Sequence, residues 1–228
     1  MVRKIKPDQS RIVEAYIGEY ASGKSENAVN RAVELVREGR RVTLVDVDIV
    51  EPFYTLRPIK KKLIDMGIDV ITWETRETMG LGEAGSGIKP EGRWALWREG
   101  DVILDVGYGV AGAKTLNLIE GAMESKELKV LVVVNIARPL TSTVEDIVQY
   151  VKDLGRADGL INNSHLGEET TLEFVQDGAR IVTEAAKILN LPVVATAVEE
   201  TLAPLIGSSD CMGNPVRRLH RYMPQTFW

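Results

Sequence analysis

Gly18-Glu19-Tyr20-Ala21-Ser22-Gly23-Lys24-Ser25 decides the reading of this chain. It matches the phosphate-loop pattern G-x-x-x-x-G-K-[ST] at every fixed position. The apolar run over 12–17 ahead of it reads as a strand, and residues from Lys24 onward follow a helical pattern. Strand, glycine turn and helix place successive main-chain N–H groups around an anion at the positive end of a helix. The whole stretch 18–25, with Glu26 just inside the helix, is therefore expected to surround the phosphates of a nucleoside triphosphate. Gly18 and Gly23 let the backbone turn, Lys24 brings a charge to the β- and γ-phosphates, and the Ser25 hydroxyl is expected on Mg²⁺.

Outward from this loop, short apolar runs alternate with longer helical patterns, the signature of βαβ units around a parallel sheet. Strands are expected over 12–17, 41–46, 69–73, 102–106, 129–135, 159–162 and 192–197. Val130-Leu131-Val132-Val133-Val134 is apolar at every position, as in a strand buried on both faces. Helices are expected over 24–38, 141–154 and 172–189 from apolar residues at helical spacing. The fold class is thus α/β, a three-layer α/β/α sandwich with a mostly parallel sheet, in one nucleotide-binding domain spanning 1–228. The glycine-rich segment 79–92 reads as an exposed connection, and 208–228 as a basic, aromatic tail.

Two acidic positions fall where a phosphate loop needs them, at the carboxyl ends of strands. Asp105 closes the run Asp101-Val102-Ile103-Leu104-Asp105 and is expected to hold the Mg²⁺ shell. Gly107, just beyond it, is placed to sense the γ-phosphate through its N–H. Asp46 and Asp48 end the second strand, two residues apart and so pointing the same way. Asp46 is assigned to the metal shell with Ser25 and Asp105. Asp48 is assigned to orienting the attacking water, with Lys24 as the other catalytic group.

The loop, the stretch Val45-Asp46-Val47-Asp48-Ile49-Val50-Glu51-Pro52 and Asp105-Val106-Gly107 together resemble the MinD/ParA/CobQ-like branch of the SIMIBI class of P-loop ATPases. The resemblance extends over nearly the whole chain. It implies ATP binding, Mg²⁺-dependent hydrolysis, a nucleotide-dependent switch, a nucleotide-dependent homodimer and a protein partner. It also places adenine-recognising amides at Asn162 and Asn163. The chain departs from the family at Glu19, where many members carry an extra lysine that reaches the partner's nucleotide; Lys114 and Arg138 are the substitute cations. Related folds also serve ATP-dependent ligases and kinases of the CobQ and dethiobiotin-synthetase type, and a nucleotide-sensing module without turnover is a further alternative.

Other signals narrow the field. No N-K-x-D element follows Asn135, which disfavours guanine. Gly107-Tyr108-Gly109-Val110-Ala111-Gly112 spells a dinucleotide fingerprint, but Asn135 ends the next strand where that reading needs an acid. A net charge of −5 argues against nucleic acid as partner, and a single cysteine, Cys211, excludes an internal disulfide framework. No apolar run approaches a transmembrane length, and the polar stretch 1–10 leads to the expectation of a cytoplasmic protein. The tail residues 216–224 are basic and aromatic and cut by Pro224. They are expected to pack on the domain or a partner rather than enter a membrane.

Overall fold

The computed structural model describes residues 10–49, 56–73 and 88–223. The expected connection over 79–92 therefore lies mostly outside the described residues. Eight strands form one sheet: β1 (Val13–Gly18), β2 (Val42–Val47), β3 (Asp69–Ile71), β4 (Asp101–Val106), β5 (Leu128–Val134), β6 (Gly159–Asn162), β7 (Val193–Glu199) and β8 (Val216–Leu219). Their order is β3-β2-β4-β1-β5-β6-β7-β8, and every neighbouring pair is parallel. The order reverses around β1. The chain fills the β2–β4 side first, then crosses to β5 on the other flank, so a crevice opens at the carboxyl end of β1.

Side-chain alternation along the central strands divides the interior into two cores. Val13, Ala15 and Ile17 point to one face together with Val130, Val132 and Val134. Tyr16, Leu131 and Val133 point to the other. Both sets are buried, which is why these strands read as continuous apolar runs rather than alternating ones. The first face is covered by α3 (Gly109–Ala113), α4 (Val144–Leu154) and α5 (Leu172–Leu189), with Ile147, Val151 and Val182 in the core. The second is covered by α1 (Lys24–Arg37) and α2 (Lys60–Asp65), through Ala28, Val29, Ala32, Val33 and Leu63. A last short helix, α6 (Ala203–Ile206), joins β7 to β8. Three layers around a parallel sheet are the architecture expected from the sequence.

Two boundaries differ from the expectation, each for a physical reason. The helix expected from residue 141 begins at Val144, because Thr143 caps it: its hydroxyl accepts from the Asp146 amide at 3.1 Å, and the Asp146 carboxylate accepts from the Thr143 amide at 3.2 Å. Pro139–Thr141 forms a separate 3-10 turn before that cap. The tail does pack on the domain, but it does so as β8, which pairs Val216–Leu219 with Thr196–Glu199 of β7. Two adjacent arginines, Arg217 and Arg218, hid this strand in the sequence; such charges suit an edge position.

At the amino-terminal end of β4, inside the sheet, Asp101 has 2% of its surface exposed. Arg40 binds it through two nitrogens, Nε at 2.5 Å and Nη2 at 2.6 Å, while the Ile12 amide donates to it at 2.8 Å. Removing the cation strands a buried carboxylate. Arg40→Met is expected to lower unfolding free energy by about 3 kcal/mol, read as a fall in the urea midpoint with an unchanged slope. An unmoved midpoint would show that water replaces the guanidinium without loss.

Candidate nucleotide site

The loop after β1 turns because two of its residues lack a side chain where none fits. A Cβ on Gly18 would lie 2.4 Å from the Val133 carbonyl oxygen, and one on Gly23 would lie 2.1 Å from Asn163 Nδ2. Gly23 has φ +87 and hands directly into α1, whose first residue is Lys24. Ala21 also takes a left-handed conformation, φ +51, which costs about 1 kcal/mol for a residue with a Cβ. The Ser22 amide and Lys24 Nζ both donate to the Glu19 carbonyl at 3.2 Å. The main chain of the loop thus bends around the point where Lys24 enters the helix.

Glu19 does not turn its carboxylate into this bend. Its Oε1 accepts from the Leu140 amide at 3.4 Å and its Oε2 from the Thr141 hydroxyl at 3.2 Å. It ties the loop to the 3-10 turn beyond β5. Burial raises its pKa, opposed by those two donors and then by the charges of Arg138 and Lys24. Tyr20 is half-exposed and meets Tyr108 edge-on, ring centroids 5.2 Å apart. The Tyr108 ring in turn lies 6.0 Å from Lys24 Nζ. Tyr108 was hidden in the glycine pattern 107–112. There Gly112 packs so tightly on Gly107 that a Cβ would sit 2.1 Å from its carbonyl, a turn-closing role for the would-be fingerprint.

Asp46 and Asp105 are register partners on adjacent strands. Asp46 is well supplied: the Thr72 hydroxyl donates to Oδ2 at 2.6 Å and the Asp48 amide to Oδ1 at 3.1 Å. Asp105 is 1% exposed, and neither of its oxygens has a partner at full hydrogen-bond geometry, with the Ser25 hydroxyl the side-chain donor that bears on it. Burial and the neighbouring Asp46 charge push its pKa well above the usual carboxylate range, against the pull of the Ser25 hydroxyl and the Lys24 charge. Asp48 stands half-exposed beyond them. Among the described residues no three His, Cys, Asp or Glu side chains form a cage for a metal ion. The residues nevertheless fit Mg²⁺. An orphaned buried carboxylate beside a serine hydroxyl and the phosphate loop is the sparse all-oxygen donor set that this ion uses when phosphates and water complete its shell.

Beside the loop lies an open cleft lined by Gly23, Asn163, His165, Val175, Val198 and Arg221 among others. Of the two amides expected there, Asn163 lines the cleft and donates to the Ser22 carbonyl at 2.7 Å. Asn162 does not line it. Its Nδ2 donates to the Val175 carbonyl and the Thr196 hydroxyl, and its Oδ1 accepts from the Ser164 amide and hydroxyl. It holds β6, β7 and α5 together. Burial and the charges of Arg138 and Arg221 depress His165 to a pKa of about 4, so it is neutral at pH 7. Glu26 lines the same cleft, and its carboxylate accepts from the Tyr222 and Met223 amides of the C-terminal segment. Of the two substitute cations, Arg138 bears electrostatically on both Glu19 and His165, whereas Lys114 lines a separate pocket with Asn117 and Met123. His165 and Arg221 carried no motif that could have marked them.

No family profile and no curated protein matches this sequence. Solved structures do. The signal recognition particle receptor FtsY from Elizabethkingia anophelis superposes with a TM-score of 0.54 at 16% identity, over 82% of this chain and 58% of that one. The same receptor in complex with GDP gives 0.51 at 15% identity, over 84% and 58%. A nucleotide-binding protein from Archaeoglobus fulgidus, in complex with ADP, gives 0.51 at 17% identity over 85% of this chain and 84% of that one. The chain shares the fold of these proteins, a three-layer α/β/α sandwich around a parallel sheet. It spans about three-fifths of the length of the FtsY chains it matches.

The raised pKa of Asp105 sets a sign for stability. Its folded value lies above its unfolded one, so the native state holds the extra proton. The group is least costly below about pH 4 and becomes fully unfavourable once pH passes the folded value. Asp105→Asn is expected to stabilise the ligand-free protein at about pH 8 and to flatten its pH dependence down to about pH 5. Urea titrations at both pH values check this, and a less stable variant at the higher pH would sink the assignment.

Proposed function

We propose that this chain is an Mg²⁺-dependent ATP-binding and ATP-hydrolysing protein of the MinD/ParA/CobQ-like type, working as a nucleotide-dependent switch. The observation that carries the reading is the convergence of the Gly18–Ser25 turn with a buried carboxylate, Asp105, that has neither oxygen in a well-formed hydrogen bond. Lys24 would neutralise the terminal phosphates, and the loop amides would cradle them. Ser25 and Asp105, with Asp46 behind, would hold Mg²⁺, which supplies charge neutralisation on the phosphate oxygens.

Asp48 is the water-orienting group in this reading. Its amide is fixed by Asp46 while its side chain remains half-exposed at the rim. Gly107 and Tyr108 lie two and three residues beyond Asp105, so a γ-phosphate near Lys24 would bear on them first and alter the surface offered to a partner or a second copy. Support for ATP over GTP comes from Asn135. Its amide is committed to the backbone of Ala137 and His165, and no aspartate follows it to read a guanine edge. The A. fulgidus structure holds an adenine nucleotide and an FtsY structure a guanine one, so the fold alone leaves the base open. With the Glu19 carboxylate engaged by Leu140 and Thr141, no early lysine assists hydrolysis, and slow basal turnover is expected.

Calorimetry with Mg-ATP and Mg-GTP tests the reading. Wild type should prefer ATP, and Lys24→Ala should weaken it by at least about a hundredfold through loss of a charge-assisted contact. In a phosphate-release assay, Asp48→Ala should keep wild-type affinity and lose turnover by about a hundredfold or more. Normal hydrolysis by Asp48→Ala would remove that residue from its role, and absence of any heat with either nucleotide would remove the function.

A further inference from the structure

The C-terminal segment reaches the one helix that carries the phosphate-binding side chains. Glu26, two residues beyond Lys24, accepts from the Tyr222 amide at 2.5 Å and the Met223 amide at 3.2 Å. One turn further along α1, Asn30 grips His220 from both sides. Its Oδ1 accepts from the His220 amide at 2.8 Å and its Nδ2 donates to the His220 carbonyl at 2.9 Å. Tyr222 and Met223 are buried in the core on the α1 face of the sheet. Four hydrogen bonds therefore fix the backbone on either side of Arg221.

Arg221 itself lines the cleft beside Gly23 and Asn163. Its ion-pair partner there is Glu168, 3.8 Å away and almost fully exposed, a pairing too loose to hold a guanidinium; the Glu26 carboxylate attracts it at longer range. The rest of the cleft is mainly apolar, with Val175, Ala197, Val198 and Leu219 on its walls. Its polar residues are Glu26, Asn163, Ser164, His165, Thr170 and Glu199 beside Arg221. His165 is neutral, and the Glu26 carboxylate is occupied by the two tail amides. Apolar walls and an opening directly beside the phosphate loop suit a nucleoside. A planar cation on the wall suits the face of a heteroaromatic base.

We propose that the C-terminal segment is a working part of the nucleotide site: Arg221 packs on the purine of the bound nucleotide, and Glu26 and Asn30 are positioning residues that latch Arg221 to the phosphate-binding helix. This rests on the nucleotide reading above and goes beyond it by assigning base affinity to a residue near the end of the chain. The same latch links base binding to the tail, since loosening either hydrogen-bonded pair frees the wall of the cleft.

The test separates base from phosphate. The full chain is titrated with Mg-ATP and with Mg-tripolyphosphate, which carries the phosphates and no base, in about 0.15 M salt so that long-range attraction is screened. Arg221→Ala should weaken ATP roughly tenfold while tripolyphosphate changes by no more than about twofold. Glu26→Gln, which keeps one acceptor for the tail amides, should move ATP in the same direction by a smaller factor and leave tripolyphosphate in place. Arg221 is only partly buried, so its variant keeps the test open should Glu26→Gln fail to fold. Equal weakening of both ligands, or no weakening of ATP, by Arg221→Ala would overturn the inference. Wild-type protein binding neither ligand would overturn the nucleotide reading itself, and tripolyphosphate bound as tightly as ATP would overturn only the role of the cleft.

Discussion

Two carboxylates, Asp46 and Asp105, sit side by side at the carboxyl edge of a parallel sheet, and one of them is buried with neither oxygen in a well-formed hydrogen bond. Such a placement is unfavourable for the folded chain taken alone. It holds because the surrounding sheet over-determines it. Asp105 lies on β4, flanked by β1 and β2, and all three strands are buried on both faces. Relief for that carboxylate must come from a positive species, and the nearest positive features are Lys24 and the amino end of α1. The chemistry proposed for the site is thus a consequence of where the sheet puts its least comfortable residue.

The same edge explains why the loop takes its shape. Gly18 passes against the Val133 carbonyl and Gly23 against the Asn163 amide, so the loop is wedged between β5 and the segment following β6. Glu19 adds a tie to the turn beyond β5 through Leu140 and Thr141. A residue that breaks the family pattern in sequence therefore acts as a strut rather than as a charge aimed at phosphate. Its position beside Gly18 leaves its side chain outside the bend, where it meets the donors of a neighbouring connection.

Much of this was legible in advance, for reasons tied to particular residues. The stretch Val130–Val134 can only be a strand covered on both faces, and α1 and α5 follow from apolar residues at helical spacing. β8 was not legible, since Val216-Arg217-Arg218-Leu219 is too short and too charged to read as a strand until β7 is there to pair with it. Glu26 and Asn162 were read as nucleotide contacts from their place in the chain. Their hydrogen-bond partners are Tyr222 and Met223 for the one, and Val175, Ser164 and Thr196 for the other, and no local pattern names those.

The sequence by itself determined the kind of backbone this protein builds and marked the glycine loop proposed to surround phosphate. Periodicity and glycine spacing are local properties, readable within a few residues. The direction in which each polar side chain spends its hydrogen bonds was decided only in three dimensions. A carboxylate or amide takes the nearest unsatisfied partner in space, and in a sheet of this order that partner lies on a neighbouring strand or, for Glu26, nearly two hundred residues away.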